Sequence, residues 1–286
     1  MRLFLYIVFL IVPVSLSSQQ KSALLVGIAD YPGSSGWSII HSDNDMRLLK
    51  NEIQKKGFFV HTLENQKATR KGIIDTLKKL HEQADAKDTI LIHFSCHGQQ
   101  ILITEEKGKK QLREALIPYD AKLYFQKSIY EGENHLLDYE LGDILLEIRK
   151  KIGSDGVLFI NIDACHSGDA IRAMEEDAPI RGTNSVFTDD PFYTRPNKRE
   201  VVKNKVLSWG DNSLSSFCAV YACQSYENNY EQKVGEMYYG SLSYAFYEVL
   251  KNSDTCNPLV WAKGIMNEIN KRTRKQNPYF ESTFTF

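Results

Sequence analysis

Neither sign of charge is in excess in this chain: 35 lysines and arginines stand against 36 aspartates and glutamates, a formal net charge of -1 over 286 residues. That balance gives no electrostatic footprint for nucleic acid, so no nucleic-acid partner is expected. Internal repeats and disordered, low-complexity tracts are also missing. The N-terminal apolar stretch, residues 3–14, falls short of the about 20 residues that a bilayer-crossing helix needs. Cysteine is scarce: five residues, the odd number that an unpaired reactive thiol would leave. Cys218 and Cys223 share one apolar run and lie roughly 17 Å apart when extended, too far to bridge each other.

What is present begins with a targeting pattern. Arg2 supplies a positive end, residues 3–14 an apolar core, and Ser15-Leu16-Ser17 a small-x-small cleavage site. No cysteine follows the core, which argues against a lipoprotein anchor; a retained signal anchor is the alternative to cleavage. The expectation is a cleaved signal peptide at 1–18, a secreted or periplasmic protein, and no stable membrane anchor. The remaining chain of about 268 residues suffices for one large or two small cores. Its 42% hydrophobic and 25% charged content is ordinary for a globular protein.

Along the chain, apolar strands alternate with amphipathic helices. Residues 23–28 and 58–63 read as strands, each bounded by Gly, Pro or Asp. Ser42-Asp43-Asn44-Asp45 reads as a helix start, with carboxylates near its positive end and Met46, Leu48, Leu49 and Ile53 as an apolar stripe. Thr69 caps a helix whose Ile73, Ile74, Leu77 and Leu80 recur at helical spacing. A hairpin follows (101–103, a Lys107-Gly108 turn, 112–117), then helices at 138–152, 241–250 and 257–274 and a strand at 217–222. This order argues an α/β fold with a mostly parallel sheet. Residues 172–205, with Pro179, Pro191, Pro196, Gly182 and many charges, read as an exposed loop.

Two strand-end motifs carry the chemistry. Residues 89–98 read T-I-L-I-H-F-S-C-H-G, and residues 157–168 read V-L-F-I-N-I-D-A-C-H-S-G. In each, an apolar strand gives way to small and polar residues at its carboxyl end, where α/β sheets place ligands and catalysis. Neighbouring parallel strands would set His97 beside Cys165. A thiol next to an imidazole is the working pair of a cysteine hydrolase. The plainer alternative for Cys165 is a small buried hydrophobe.

Ser95-Cys96-His97-Gly98 and Asp163-Ala164-Cys165-His166-Ser167-Gly168 resemble the paired motifs of caspase-like cysteine peptidases, the metacaspases and their bacterial relatives above all. The resemblance runs from about Ser22 to the C-terminus and includes Cys223-Gln224, Tyr239-Gly240-Ser241-Leu242-Ser243 and Gln276-Asn277-Pro278. It implies a three-layer sandwich, helices on both faces of the sheet. It divides residues 19–286 into a catalytic larger part to about 171, the connecting insertion at about 172–205, and a smaller part from about 206. It further implies a Cys165–His97 dyad with oxyanion donors at the amides of Gly98 and Cys165. The metacaspase pattern assigns Ser95, Asp163, Ser42 and Asp45 to the pocket for the residue before the cleaved bond, with Ser42 standing where cysteine is usual. Strand alternation agrees, because residues i and i+2 share a face. Two carboxylates there select Arg or Lys and carry the wrong sign for an Asp-specific enzyme.

Calcium is common in these relatives, and Asp138 and Glu140 occupy part of the usual acidic set. Tyr139 and a lysine-bearing hairpin depart from it, leaving fewer oxygens than a hard cation wants. No cofactor is therefore expected to be required. A zinc site from His93, Cys96 and His97 fails because alternation turns Cys96 away from both histidines. The resulting expectation is a secreted cysteine endopeptidase acting on protein or peptide substrates after Arg or Lys, and processing itself within the insertion at Arg172, Arg181 or Arg199. The alternative is a catalytically silent scaffold or binding module of the same fold.

Overall fold

The computed structural model describes residues 19–104, 108–165, 178–193, 211, 213–225, 227–273 and 276–284. The expected signal segment at 1–18, His166, Ser167 and Gly168 of the cysteine motif, and the basic residues Lys107, Arg172, Arg195, Lys198, Arg199, Lys203 and Lys205 lie outside the described residues.

Three strands form the buried centre: β1 (Lys21–Gly27), β3 (Thr89–Ser95) and β7 (Val157–Asp163). Each is a near-continuous apolar run, as a strand covered on both faces must be. β2 (Phe59–Glu64), β8 (Ser216–Tyr221) and β11 (Tyr279–Ser282) complete a six-stranded sheet of order β11-β8-β7-β3-β1-β2. All its pairings are parallel except β11 on β8.

Period-2 alternation divides the side chains between two cores. Leu25, Leu91 and Phe159 pack under α1 (Ser42–Lys55), α4 (Ser241–Asn252) and α5 (Pro258–Arg272), against Leu49, Ile53, Phe246 and Trp261. Leu24, Ile90, Ile92 and Leu158 face the other way, toward Ile73 and Leu77 of α2 (Arg70–Gln83) and Leu145 and Ile148 of α3 (Asp138–Ile152). The result is the expected three-layer α/β sandwich.

Helix starts follow local chemistry. Thr69 Oγ1 accepts the Gly72 amide at 3.0 Å, a cap that contributes about 1 kcal/mol. Asn257 Oδ1 accepts the amides of Leu259 (2.9 Å) and Val260 (3.2 Å), with Pro258 in the first turn, where its missing N–H costs nothing.

A smaller antiparallel sheet carries β4 (Gly98–Thr104), β5 (Lys110–Leu116) and β6 (Leu136–Leu137), with β5 in the middle. A hairpin of β9 (Glu231–Val234) and β10 (Met237–Gly240) precedes α4. Within the described part of the expected exposed loop at 172–205, Asn184, Asp189, Pro191 and Phe192 are exposed, but two side chains are not. Arg181 is 0% exposed and Phe187 2%, so the stretch is docked at these two residues rather than solvated throughout.

Candidate active site

β3 and β7 pair in register with Ser95 opposite Asp163. His97 and Cys165, each two residues further on, therefore leave the sheet at the same level of its carboxyl edge. His97 is fully buried, stacked on Trp37 at 4.8 Å between centroids and tilted against Tyr31 at 5.2 Å. Its Nε2 lies 2.9 Å from the carbonyl oxygen of Ser38. A carbonyl only accepts, so the ring proton sits on Nε2, and Nδ1, which makes no hydrogen bond among the described residues, keeps its lone pair. Burial lowers this histidine to about 4, which holds it as the neutral base. The Cys165 thiol donates to the Glu227 carbonyl. Cys223 points at the same carbonyl at 3.5 Å, and its own thiol is held well above the usual range by its hydrogen bond with Cys165 and by burial.

Beside the pair lies a closed acidic pocket, and Arg181 fills it. Asp45 Oδ2 accepts from Arg181 Nη2 at 2.7 Å, and Ser95 Oγ accepts from Nη1 at 2.6 Å. The Ser95 hydroxyl in turn donates to Asp45 Oδ2 at 2.7 Å. Asp163 stands 3.6 Å from Nη1 and is the outer member. Its Oδ1 accepts from Asn229 Nδ2 at 2.7 Å, and its Oδ2 accepts from the Ser243 amide at 2.8 Å and hydroxyl at 2.6 Å. Burial pushes Asp45 up to about 6 despite the guanidinium. Burial also opposes ionisation of Asp163, but Arg181, Asn229 and Ser243 outweigh it and hold that carboxyl low. Gly240 forms a wall that only glycine permits, since a Cβ there would lie 2.1 Å from Asp163 Oδ2.

The expected pocket residues Asp45, Asp163 and Ser95 thus converge on one cation. Ser42 is also buried, but its hydroxyl has no hydrogen-bond partner among the described residues. Glu231 was not expected. Its Oε1 accepts from Arg181 Nε at 3.1 Å and Nη2 at 2.8 Å, and from the His41 amide at 2.8 Å, while Oε2 meets His41 Nδ1. Nothing in its spacing links it to the two strand-end motifs.

The main chain of the docked segment is held as firmly. The Arg181 amide donates to Asn229 O at 2.9 Å and the Glu231 amide to Pro179 O at 2.9 Å, around an antiparallel Ile180–Tyr230 bridge. The Arg181 carbonyl accepts the Cys165 amide at 2.7 Å. That is the contact an oxyanion donor makes with the carbonyl under attack. Gly98, the other expected donor, opens β4 opposite Leu116, and no hydrogen bond from its amide to Arg181 occurs among the described residues. Gly182 follows directly, so close that a Cβ would lie 2.3 Å from the Cys165 carbonyl oxygen.

Asp138 and Glu140, the acids of the expected partial calcium set, are both taken up by ion pairs within the chain. Asp138 pairs with Arg113 at 2.8 Å, and Glu140 pairs with Arg70 while capping the Leu137 amide at 3.1 Å. No cluster of three or more His, Cys, Asp or Glu side chains able to hold a metal occurs among the described residues.

A thiol and a neutral imidazole on adjacent strand ends, beside an acid-lined pocket and under a three-layer sandwich, define the caspase-like class of cysteine peptidase. Residues 20–286 match the caspase domain family, and the chain belongs to that family. Among curated proteins it is similar to Metacaspase-1 of Schizosaccharomyces pombe, 22% identical over 88% of this chain, and to Metacaspase-1 of Plasmodium falciparum, 24% over 93%. Metacaspase-4 of Arabidopsis thaliana is 28% identical over 54% of the chain and 35% of its own length. The matches span 65% of the S. pombe protein and 40% of the P. falciparum one. The fold is shared with the crystal structure of protein GSU0716 from Geobacter sulfurreducens: TM-score 0.63, 19% identity, 93% of this chain and 94% of that one.

Proposed function

We propose that the chain is an endopeptidase that cleaves after arginine, and after lysine less well, and that its first substrate is its own Arg181–Gly182 bond. One observation carries this reading. The same arginine has its guanidinium sealed among Asp45, Glu231, Ser95 and Asp163 and its carbonyl oxygen 2.7 Å from the Cys165 amide.

In the reaction, Cys165 Sγ leaves the Glu227 carbonyl and attacks the Arg181 carbonyl carbon. His97 Nδ1 takes the thiol proton, and the Cys165 amide holds the oxyanion. The C–N bond to Gly182 then breaks, and the imidazolium returns its proton to the departing amine. Water, deprotonated by the same nitrogen, releases the acyl group and restores the thiol. Apart from the hydrolytic water, the chain's own groups make and break every bond in this sequence, and no cofactor takes part in a step. With residues 1–18 removed as a signal, the enzyme acts outside the cytoplasm on protein substrates.

The test is a panel of fluorogenic peptides carrying Arg, Lys, Asp or Leu before the cleaved bond, each with calcium and with chelator. The expected result is Arg first, Lys second, negligible turnover of Asp and Leu, and no dependence on calcium. A well-folded protein that turns over none of them and is not labelled at Cys165 by an arginyl electrophile would be the silent scaffold instead.

A further inference from the structure

Beyond Gly182 the chain runs along β4, the strand whose other edge is taken by β5. Phe187 pairs in parallel with Ile101 there. Its amide donates to the Gln100 carbonyl at 2.8 Å, and its own carbonyl accepts the Leu102 amide at 2.9 Å. The ring enters a pocket in which Phe125 and Tyr130 meet it edge-on at 5.9 and 5.7 Å and His135 lies 4.5 Å away between centroids. Gly132 closes the pocket with φ +103, and a Cβ there would lie 2.9 Å from the Phe187 ring.

A buried polar chain supports this pocket. Gln99 Nε2 donates to the carbonyls of Ser185 at 3.1 Å and Leu123 at 3.0 Å. Its Oε1 lies 3.0 Å from His135 Nε2, which must therefore carry the proton, so His135 Nδ1 accepts from Tyr130 Oη at 2.9 Å. Gln99 is 0% and His135 1% exposed. The pocket thus reads both the main chain of the segment, at residues 185 and 187, and one aromatic side chain.

We infer that this is a primed-side subsite for an aromatic side chain on the sixth residue past the cleaved bond, filled in the precursor by Phe187. The inference rests on the reading of Arg181–Gly182 as the bond cut. With Arg181 sealed upstream and Phe187 downstream, the bond between them is held across the Cys165 amide at two anchors. Orientation of this kind is what makes an intramolecular cut fast. After the cut, the same contacts retain the new amino-terminal segment, and a separate peptide with the same spacing takes the subsite once that segment leaves.

The experiment uses the self-processed Phe187→Ala enzyme, whose own segment no longer fills the subsite, and two synthetic peptides of sequence 176–190, one native and one with Phe187→Ala. The subsite predicts a KM at least fivefold higher for the alanine peptide, with kcat within twofold. In cis, Phe187→Ala should slow first-order self-cleavage at least tenfold. Equal KM values for the two peptides overturn the subsite. Failure of the underlying reading looks different: neither wild-type precursor nor native peptide is cut after Arg181. The subsite is then decided by hydrogen exchange of the Leu102 amide. Cys165→Ala/Phe187→Ala should lose its protection and regain it with free peptide 182–188, but not with the same peptide lacking the phenyl ring. Protection that is unmoved by either change contradicts the subsite on its own.

Discussion

The amide of Cys165 donates to the carbonyl oxygen of Arg181 across 2.7 Å. The main chain of Cys165 thus grips the carbonyl of a residue whose side chain is locked in the acidic pocket. An arginine elsewhere on the surface would need neither contact.

In the proposed reading, Glu231 is what sets arginine above lysine. Its Oε1 takes both Nε and Nη2 of the guanidinium, and a lysine ammonium has no counterpart to Nε. Glu231→Gln should lower kcat/KM for arginyl peptides by about 2 kcal/mol, roughly 30-fold, and for lysyl peptides by much less. The Arg/Lys ratio of the variant is the quantity to measure, and an unchanged ratio contradicts the role.

Arg181 is the sole cation among the described residues that pairs with Asp45 and Asp163. Arg181→Ala should destabilise the precursor by about 3–5 kcal/mol in urea denaturation, because buried carboxylates are left without their partner. The same change empties the pocket. Benzamidine should protect the variant against thermal unfolding while leaving the Cys165→Ala precursor unaffected.

Gly182→Ala tests the primed side. A Cβ there would lie 2.3 Å from the Cys165 carbonyl oxygen, a distance that forces the segment to shift. Self-cleavage after Arg181 should slow at least tenfold in a gel time course. A wild-type rate would mean that the segment is cut in a different pose.

Acid should weaken the fold before it reaches the ordinary carboxylate range. His93, His97 and His135 are each lowered to about 4, in every case first by burial. Unfolded, they take a proton near pH 6.5, whereas folded they do not. Each therefore removes about 1.4 kcal/mol of stability per pH unit between about 6.5 and 4. Asp45, pushed up to about 6 by burial, binds its proton more readily when folded and offsets about one of the three between about pH 6 and 4. Urea midpoints measured from pH 7 to pH 4.5 should fall steadily, and a flat profile would contradict the neutral buried imidazoles.

Much of this site was legible through the resemblance of the two motifs to the caspase-like pattern, and strand geometry agrees with it. A strand's period of two carries Ser95 with His97 and Asp163 with Cys165, and apolar runs set both strands at the centre of a parallel sheet. Glu231 was not legible, because it lies on a four-residue strand of a two-stranded hairpin, too short to show a period. The insertion misled for the opposite reason. Its prolines and charges are what a solvated loop carries, and an arginine followed by glycine looks the same whether it meets water or its own active site. Its apolar residues, Ile180, Val186, Phe187 and Phe192, are scattered among prolines and charges and form no continuous strand or helix pattern, so nothing singled out Phe187 as docked.

Self-cleavage after Arg181 by Cys165 and His97 would show in N-terminal sequencing of the purified protein over time. Wild type should convert to two fragments that remain associated, the smaller beginning Gly182-Thr183-Asn184, while Cys165→Ala stays intact and His97→Ala converts at least a thousandfold more slowly. A wild-type chain that remains whole while hydrolysing arginyl peptides, or a new N-terminus anywhere other than Gly182, would contradict the account.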